Sequence, residues 1–180
     1  MQLITAQNIR DRYDVSFHKD ENVILSSISA IENTYLKPML TKECYAYLLM
    51  TVNVSPERPF SSFVMSGGLY EMSPFSVHVN GLIDAVSALV YADLLIKQTI
   101  VTRYGAVNKT DARSQNKDYN ELNTQISRYA NIGKKYIEDV MAYINTLDAD
   151  DPDLSDEKNI IELIQLNKCF TVDGILNEWI

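Results

Sequence analysis

Histidine, cysteine and glycine are scarce in this chain, and their scarcity excludes several classes of functional site. Its 180 residues include 2 histidines, 2 cysteines and 6 glycines. A di-iron helical bundle needs Glu-x-x-His on two helices, and neither His18 nor His78 has a glutamate three residues before it. Cys44 and Cys169 form no CxxC pair, which leaves a zinc site or a disulfide framework unsupported, so we expect both to be free thiols. The sequence therefore predicts no metal and no cofactor.

Motifs for phosphate binding and nucleophilic catalysis are missing as well. The glycine pair in "MSGGLY" belongs to neither GxxxxGK[ST] nor GxGxxG. Ser66 lacks the G-x-S-x-G context of a nucleophile elbow. The acidic run 148–153 lacks the glycine and the glutamate of a calcium loop. We predict that the protein has no catalytic residues and is not an enzyme.

Long hydrophobic runs are absent too. Aliphatic runs such as Leu94–Ile96 are only three residues long, whereas a bilayer span needs about 20 apolar residues. The opening residues "MQLITAQNIRDRYDV" have neither the basic region nor the apolar region of a secretory signal. These features predict a protein without a membrane segment that stays where it is made.

What the chain does contain is typical of one globular domain. Hydrophobic residues make up 46% and charged residues 22%, and 180 residues are enough to bury a core. The net charge of −8 disfavours a general nucleic-acid binder. The charge is unevenly placed: residues 103–135 hold 7 basic and 3 acidic side chains, whereas residues 136–180 hold 2 and 11. Solvated helix surfaces explain this pattern most simply, and complementary patches between copies of the chain are the alternative.

Helical periodicity dominates the first 51 residues. Thr5 is expected to start a short helix with Ile9 and Tyr13 on its inner side. A second helix is predicted from Asp20 to Leu36, because Ile24, Ile28, Ile31 and Tyr35 recur at threes and fours. Pro38 is expected to end it. A third helix is expected after Thr41, a capping residue.

Residues 52–81 interrupt the helical pattern with prolines and glycines and are predicted to form an irregular insertion loop. The segment "FSVHV" alternates in the manner of a short strand. Exposed aromatic and aliphatic side chains on such a loop are costly in water unless they fold back or meet a partner. The side chains that we assign to a candidate interface on this ground are Phe63, Leu69, Tyr70 and Phe75.

Two helices joined by a polar connector form the predicted centre of the fold. Leu82–Val101 is apolar on most sides, and an amphipathic helix is predicted from near Asp111 to Leu147. Gly105 is expected to cap the first of these helices. The connector is then the tip of a long helical hairpin, free to present cations to a partner. These cations are Arg103, Lys109, Arg113 and Lys117.

Residues 148–180 are predicted to form a C-terminal extension of the single domain 1–180. Ser155 is a candidate cap for a short helix. Phe170, Trp179 and Ile180 are expected to pack into the domain or insert into a neighbour, and they complete the candidate interface. The sequence thus predicts a mainly all-α fold: a helical bundle with a long helical hairpin and an irregular insertion that can include strands.

The order of these helices, with "VTRYGAVNKTDARS" leading into "YANIGKKYIEDVMAYI", resembles the head-to-tail connector proteins of tailed bacteriophages. The likeness is greatest to those of crAss-like phages and covers roughly residues 1–147. It implies a structural virion protein in the neck or tail, assembled in the host cytoplasm. Its partners would be further copies in a ring, commonly of about twelve, the portal protein and the next tail ring. DNA would pass through the channel without sequence-specific binding.

Two other functions remain open at this point. The chain can be a non-viral, intracellular helical interaction module that dimerises through residues 52–81. A helix-turn-helix regulator built on residues 20–51 is disfavoured, because the chain is acidic and lacks a basic recognition helix.

Overall fold

The computed structural model describes residues 2–13, 15, 20–54, 59–72, 75–102, 105–108, 119–148, 154 and 158–166. Most of these residues are helical, which confirms the predicted mainly-α fold with a strand-containing insertion. The helices are α1 (Ala6–Arg12), α2 (Glu21–Ile31), α3 (Lys37–Val54), α4 (Pro59–Ser66), α5 (Leu82–Gln98), α6 (Tyr119–Thr146) and α7 (Lys158–Leu166). The strands β1 (Gly67–Met72), β2 (Phe75–Asn80), β3 (Thr99–Thr102) and β4 (Gly105–Asn108) form two antiparallel hairpins, β1–β2 and β3–β4.

Helix α1 begins where the sequence predicts it. Thr5 and Asn8 form a capping box, in which Thr5 Oγ1 accepts from the Asn8 amide and Asn8 Oδ1 accepts from the Thr5 amide at 2.8 Å. Such caps satisfy amide groups that have no partner within the helix. Ile9 is fully buried, and Tyr13 follows the last turn.

Pro38 does not end the second helix, so this prediction is wrong. Helix α2 runs through a π-helical turn at Glu32–Leu36 into α3, and the Lys37 amide donates to the carbonyl of Glu32, five residues earlier. A proline in a helix lacks an amide donor and collides with the carbonyl four residues before it. The π turn widens the backbone ahead of Pro38, and such turns are one known means of inserting a kink.

The break comes at Thr41 instead, where the sequence predicts the start of the next helix. Thr41 has φ 65° and ψ 159° within α3. Its Oγ1 accepts from the Cys44 amide at 3.3 Å, which confirms its capping role. Positive φ is unusual for a β-branched residue, so Thr41 carries backbone strain.

A buried carboxylate connects the π turn to the segment before α1. Glu32 is 2% exposed, and its Oε1 accepts from the backbone amides of Leu3 at 2.8 Å and Ile4 at 3.3 Å. Its Oε2 accepts from the Tyr45 hydroxyl at 2.7 Å. Burial raises the pKa of Tyr45, and the bond to Glu32 raises it further. Three donors compensate the desolvation of this carboxylate, as burial of a charged group requires.

The insertion is more ordered than the sequence indicates. Helix α4 occupies Pro59–Ser66 and is followed directly by β1. The prolines of residues 52–81 predicted a break in the helical pattern, but Pro59 occupies the first position of α4, where proline lacks only an amide that has no helical acceptor anyway. Phe60 is buried in the core rather than exposed. The prediction that "FSVHV" forms a strand is confirmed by β2.

Helix α5 lies at the centre of the fold. Its buried residues occur on most sides of the helix and include Leu82, Val86, Val90 and Leu94. Asp93 and Lys97, four residues apart on this helix, form an ion pair at 2.6 Å. The helix ends at Gln98, earlier than predicted, because the β-branched run 99–102 pairs as strand β3 with β4.

The predicted glycine cap of α5 is also wrong. Gly105 is the first residue of β4 and pairs with Thr102 across the β3–β4 hairpin. The connector between the two central helices therefore opens with a β-hairpin and not with a helix cap. The predicted start of the long helix near Asp111 lies outside the described residues, and its predicted end at Leu147 is confirmed within one residue.

Helix α6 packs closely on α5 at Gly133. A Cβ at this position would lie 2.6 Å from Leu89 Cγ and 2.9 Å from the carbonyl oxygen of Ala85. Nearby, three tyrosine rings join α1, α5 and α6. Tyr13 stacks on Tyr91 with centroids 4.7 Å apart, and Tyr129 meets both rings edge to face. Such offset and edge contacts are the favoured geometries of aromatic pairs.

Candidate interaction site

The β1–β2 hairpin is fixed to the helical core by two glycines that face each other. Gly67 has φ +73°, and a Cβ there would lie 2.2 Å from the carbonyl oxygen of Val79. A Cβ on Gly81 would lie 2.3 Å from the carbonyl oxygen of Met65 and 2.5 Å from the Gly67 amide nitrogen. Only glycine allows backbones to approach this closely. The hairpin consequently leaves α4 and enters α5 at one compact junction.

Aromatic contacts hold the hairpin and α4 against the C-terminal half of α6. The Tyr143 ring lies 4.2 Å from Phe63 and 5.0 Å from Tyr70, centroid to centroid. Thr146 Oγ1 donates to the Tyr70 hydroxyl at 3.1 Å. Burial raises the pKa of Tyr143, and the neighbouring Tyr70 contributes to the rise.

A half-open cleft of about 310 Å³ lies between the β1–β2 hairpin and α6. Its hairpin wall holds Tyr70 and its strand neighbours, and its α6 wall holds Tyr143 together with a cation and an anion one turn apart. The residues that line it are Tyr70, Val77, His78, Val79, Lys135, Asp139, Ala142, Tyr143 and Thr146. This mixture of apolar surface and a few polar groups is typical of clefts that bind an organic or peptide ligand.

Exposed apolar side chains accompany this cleft. Val77 is 47% exposed and lines it, and Leu69 is 71% exposed on the hairpin. Residues 69 and 78 are paired across the strands, as are residues 70 and 77. Because side chains alternate along a strand, Tyr70 and Val77 share the hairpin face toward α6, whereas Leu69 and His78 share the other face. His78 also contributes to the lining of the cleft. Each face of the hairpin thus exposes one large apolar side chain among the described residues.

The predicted interface residues separate into two groups. Phe63 and Tyr70 come together on Tyr143, Leu69 is exposed on β1, and Phe75 begins β2 opposite Met72. The remaining predicted residues lie outside the described ranges: Arg103, Lys109, Arg113, Lys117, Phe170, Trp179 and Ile180. The structure thus brings Phe63 and Tyr70 together on one side of the hairpin and places Leu69 on the other.

The predicted interface includes no residue of the α6 wall of the cleft, such as Lys135, Asp139 or Tyr143. The signal that could have found them is their spacing: residues 135, 139, 142, 143 and 146 recur at threes and fours, which is one face of a helix. That face adjoins the buried face of Ile137, Val140 and Ile144.

Comparison with known proteins adds no relative. No family model, no curated protein and no solved structure matches this chain. Within the described ranges, no cluster of histidine, cysteine, aspartate and glutamate has the arrangement of a metal site. None of the described helices is both long and apolar enough to cross a membrane.

Proposed function

We propose that the chain is a structural subunit that assembles with copies of itself into a ring, in the manner of the tailed-phage connector proteins its sequence resembles. The ring would dock to a portal, extend the DNA channel and receive the tail, and its role would be structural rather than catalytic. The observation that carries the proposal is that the α5–α6 hairpin continues past the main hydrophobic core.

Helix α6 shows this most clearly. Its 28 residues span about 42 Å at ~1.5 Å per residue. The α6 residues in the main core are Ile137, Val140 and Ile144, all in the second half. The first half buries Leu122, which lies apart from that core, and α6 also contacts β4. The core of a lone subunit does not require this additional length, whereas a subunit that reaches a neighbour does.

The charge pattern supports contacts between unlike surfaces. Exposed Arg128 and Lys135 lie on α6 within the basic segment 103–135, and exposed Glu138 and Asp148 follow within the acidic segment 136–180. A ring uses a different patch on each side of every subunit, so its two patches must be complementary. Opposite charges on the two patches fix the register and disfavour wrong pairings.

Imaging of assembled particles tests the proposal. Tailed particles should be purified from cells that produce the chain, and the neck reconstructed by electron microscopy. We expect a closed ring of this chain between portal and tail, with the α5–α6 hairpin end against the adjoining subunit. Particles without the chain, or a ring that leaves this hairpin end in solvent, would contradict the proposal.

A dimeric interaction module remains the second candidate, because Leu69 and Val77 expose apolar surface on the β1–β2 hairpin. Light scattering would then show two copies at micromolar concentration. Substitution Tyr70→Asp or Phe75→Asp should return the protein to a monomer. A monomer before substitution rejects this candidate.

A further inference from the structure

Three tyrosine rings meet where the end of α1 packs against α5 and α6. Tyr13 and Tyr91 stack with their centroids 4.7 Å apart and their planes inclined by 10°. Tyr129 lies edge to face against both rings, 5.4 Å from Tyr13 and 4.8 Å from Tyr91. All three residues are partly exposed, so oxidants in the solvent can reach the cluster. The structural role proposed above uses none of these phenols.

The two stacked rings are held in position by the elements that carry them. Tyr91 lies within α5. The Tyr13 amide donates to the carbonyl of Ile9 at 2.9 Å, which fixes Tyr13 at the end of α1. Arg12 Nε donates to Asp84 Oδ1 and so ties the last turn of α1 to the first turn of α5. The relative position of the two rings is therefore set by two helices that are bound to each other.

Stacked phenols are well placed to form a carbon–carbon bond after oxidation. A tyrosine that loses one electron and its hydroxyl proton becomes a radical, and its unpaired electron is shared with the Cε ring carbons. The orbitals that hold this electron stand perpendicular to the ring, so two parallel rings direct them at each other. Reaction is favoured when the reacting orbitals are already aligned at contact distance. A ring that meets its neighbour edge to face points C–H groups at it instead.

We propose that Tyr13 and Tyr91 form a site of oxidative cross-linking, at which a one-electron oxidant couples them through their Cε atoms into dityrosine. Each phenol gives up one electron and its hydroxyl proton, and the two radicals join in a Cε–Cε bond. The hydrogen on each joined carbon then moves to the oxygen of the same ring, which restores both phenols. When a haem peroxidase is the catalyst, one hydrogen peroxide takes up the two electrons and two protons and becomes two water molecules.

Such a bond would attach α1 covalently to the central helix of the fold. The joined residues are 78 apart in the sequence, and a cross-link that closes so long a loop restricts mainly the unfolded chain. The cross-linked protein should therefore unfold at a higher temperature than the unmodified protein. The site lies within one copy of the chain, so it does not depend on the proposed ring.

A second tyrosine pair in the chain provides an internal control for the geometry. Tyr70 and Tyr143 are also partly exposed, and their centroids lie at a similar distance, 5.0 Å, but their planes are inclined by 80°. The full-length protein should be treated with a haem peroxidase and hydrogen peroxide, digested, and searched for linked peptides by mass spectrometry. We expect a link between residues 13 and 91 in several-fold greater yield than one between residues 70 and 143. An equal or greater yield at residues 70 and 143 would overturn the proposal.

Substitutions within the cluster separate the stacked pair from its neighbour. Tyr91→Phe keeps the ring but removes the hydroxyl, and it should abolish the linked peptide together with its dityrosine fluorescence. Tyr13→Phe should do the same, which protects the test if one variant fails to fold. The matched control is Tyr129→Phe, which removes a hydroxyl from the same cluster and should leave the link in place. A link that persists in Tyr91→Phe, or one whose yield rises with protein concentration, would overturn intramolecular coupling of the stacked pair.

Discussion

Single residues in this fold are fixed by what lies next to them rather than by their intrinsic preferences. Gly133 is an example, because it lies in the interior of a helix, where alanine is intrinsically favoured over glycine by about 1 kcal/mol. Here a Cβ would meet the Ala85 carbonyl oxygen at 2.9 Å. That oxygen belongs to the backbone of α5 and cannot move without shifting the helix.

Gly133→Ala should therefore destabilise the protein despite its better helix propensity. We expect the free energy of unfolding to fall by about 1–3 kcal/mol, the usual cost of overpacking. Urea denaturation followed by circular dichroism measures it. Ala142→Gly, at an exposed position of the same helix, reports the propensity effect alone. An increase in stability for Gly133→Ala would show that α5 and α6 are not in close contact.

Buried thiol and phenol groups predict a loss of stability at alkaline pH. Burial raises the pKa of the Cys44 thiol from 9.0 to about 12 and that of Tyr13 from 10.0 to about 12. The folded protein thus keeps protons that the unfolded chain releases above about pH 9. The contribution of these two groups to stability should be constant below pH 9 and be lost as the pH rises toward 12.

Urea midpoints at several values between about pH 8 and about pH 11 test this dependence. Tyr13→Phe keeps the ring contacts with Tyr91 and Tyr129 but removes the titrating hydroxyl. Its midpoint should fall less steeply than that of the unmodified protein above pH 10. Equal slopes would show that Tyr13 titrates alike in the folded and unfolded chains.

At the scale of the elements, the break within α3 coincides with an unusual backbone conformation. Thr41 separates the two parts of α3 at φ 65° and caps Cys44. Strain at such a conformation costs about 1–3 kcal/mol, whereas glycine at a cap position costs only a few tenths compared with threonine. The relief of strain by glycine therefore exceeds the loss of the cap.

Substitutions at position 41 should rank in stability as glycine, then threonine, then alanine. Thr41→Gly removes the strain, and Thr41→Ala keeps it while losing the cap, at about 1 kcal/mol. Thermal unfolding of the three proteins under one condition gives the order. A Thr41→Ala protein more stable than Thr41→Gly would contradict the left-handed backbone at this residue.

Periodicity predicted the elements whose pattern is strong, and local chemistry decided the rest. The spacing of Ile24, Ile28 and Ile31 by four and then three residues was sufficient to predict α2. The residue Thr5 was sufficient to predict where α1 starts. Pro38 does not end the second helix because a π turn accommodates it. Pro59 does not prevent a helix because it occupies the first position of α4. The cleft required tertiary information: Tyr70 and Tyr143 are 73 residues apart in the sequence, and only the fold places them together.

The whole molecule carries its charge unevenly, and this has a measurable consequence for assembly. Surface charge pairs between subunits weaken with salt, because the Debye length falls from about 10 Å at 0.1 M to about 3 Å at 1 M. The proposed ring should therefore dissociate more readily as the sodium chloride concentration rises. Mass photometry of the assembled protein across a salt series measures this.

A single charge reversal on α6 tests the same prediction about assembly. Arg128→Glu changes an exposed position on the first half of α6 and should weaken assembly. Lys42→Glu makes the same change of net charge at an exposed position on α3 and should assemble as the unmodified protein does. Equal weakening by both variants would attribute the effect to net charge and not to the α5–α6 hairpin.

The contact between Gly67 and Gly81 limits how this sequence can diverge. Neither position leaves room for a methyl group, and the atoms in the way belong to the main chain. A change at either site cannot be compensated by a smaller neighbouring side chain. In homologues that retain the β1–β2 hairpin, we therefore expect both positions to be invariant glycines, while the apolar residues around them vary freely.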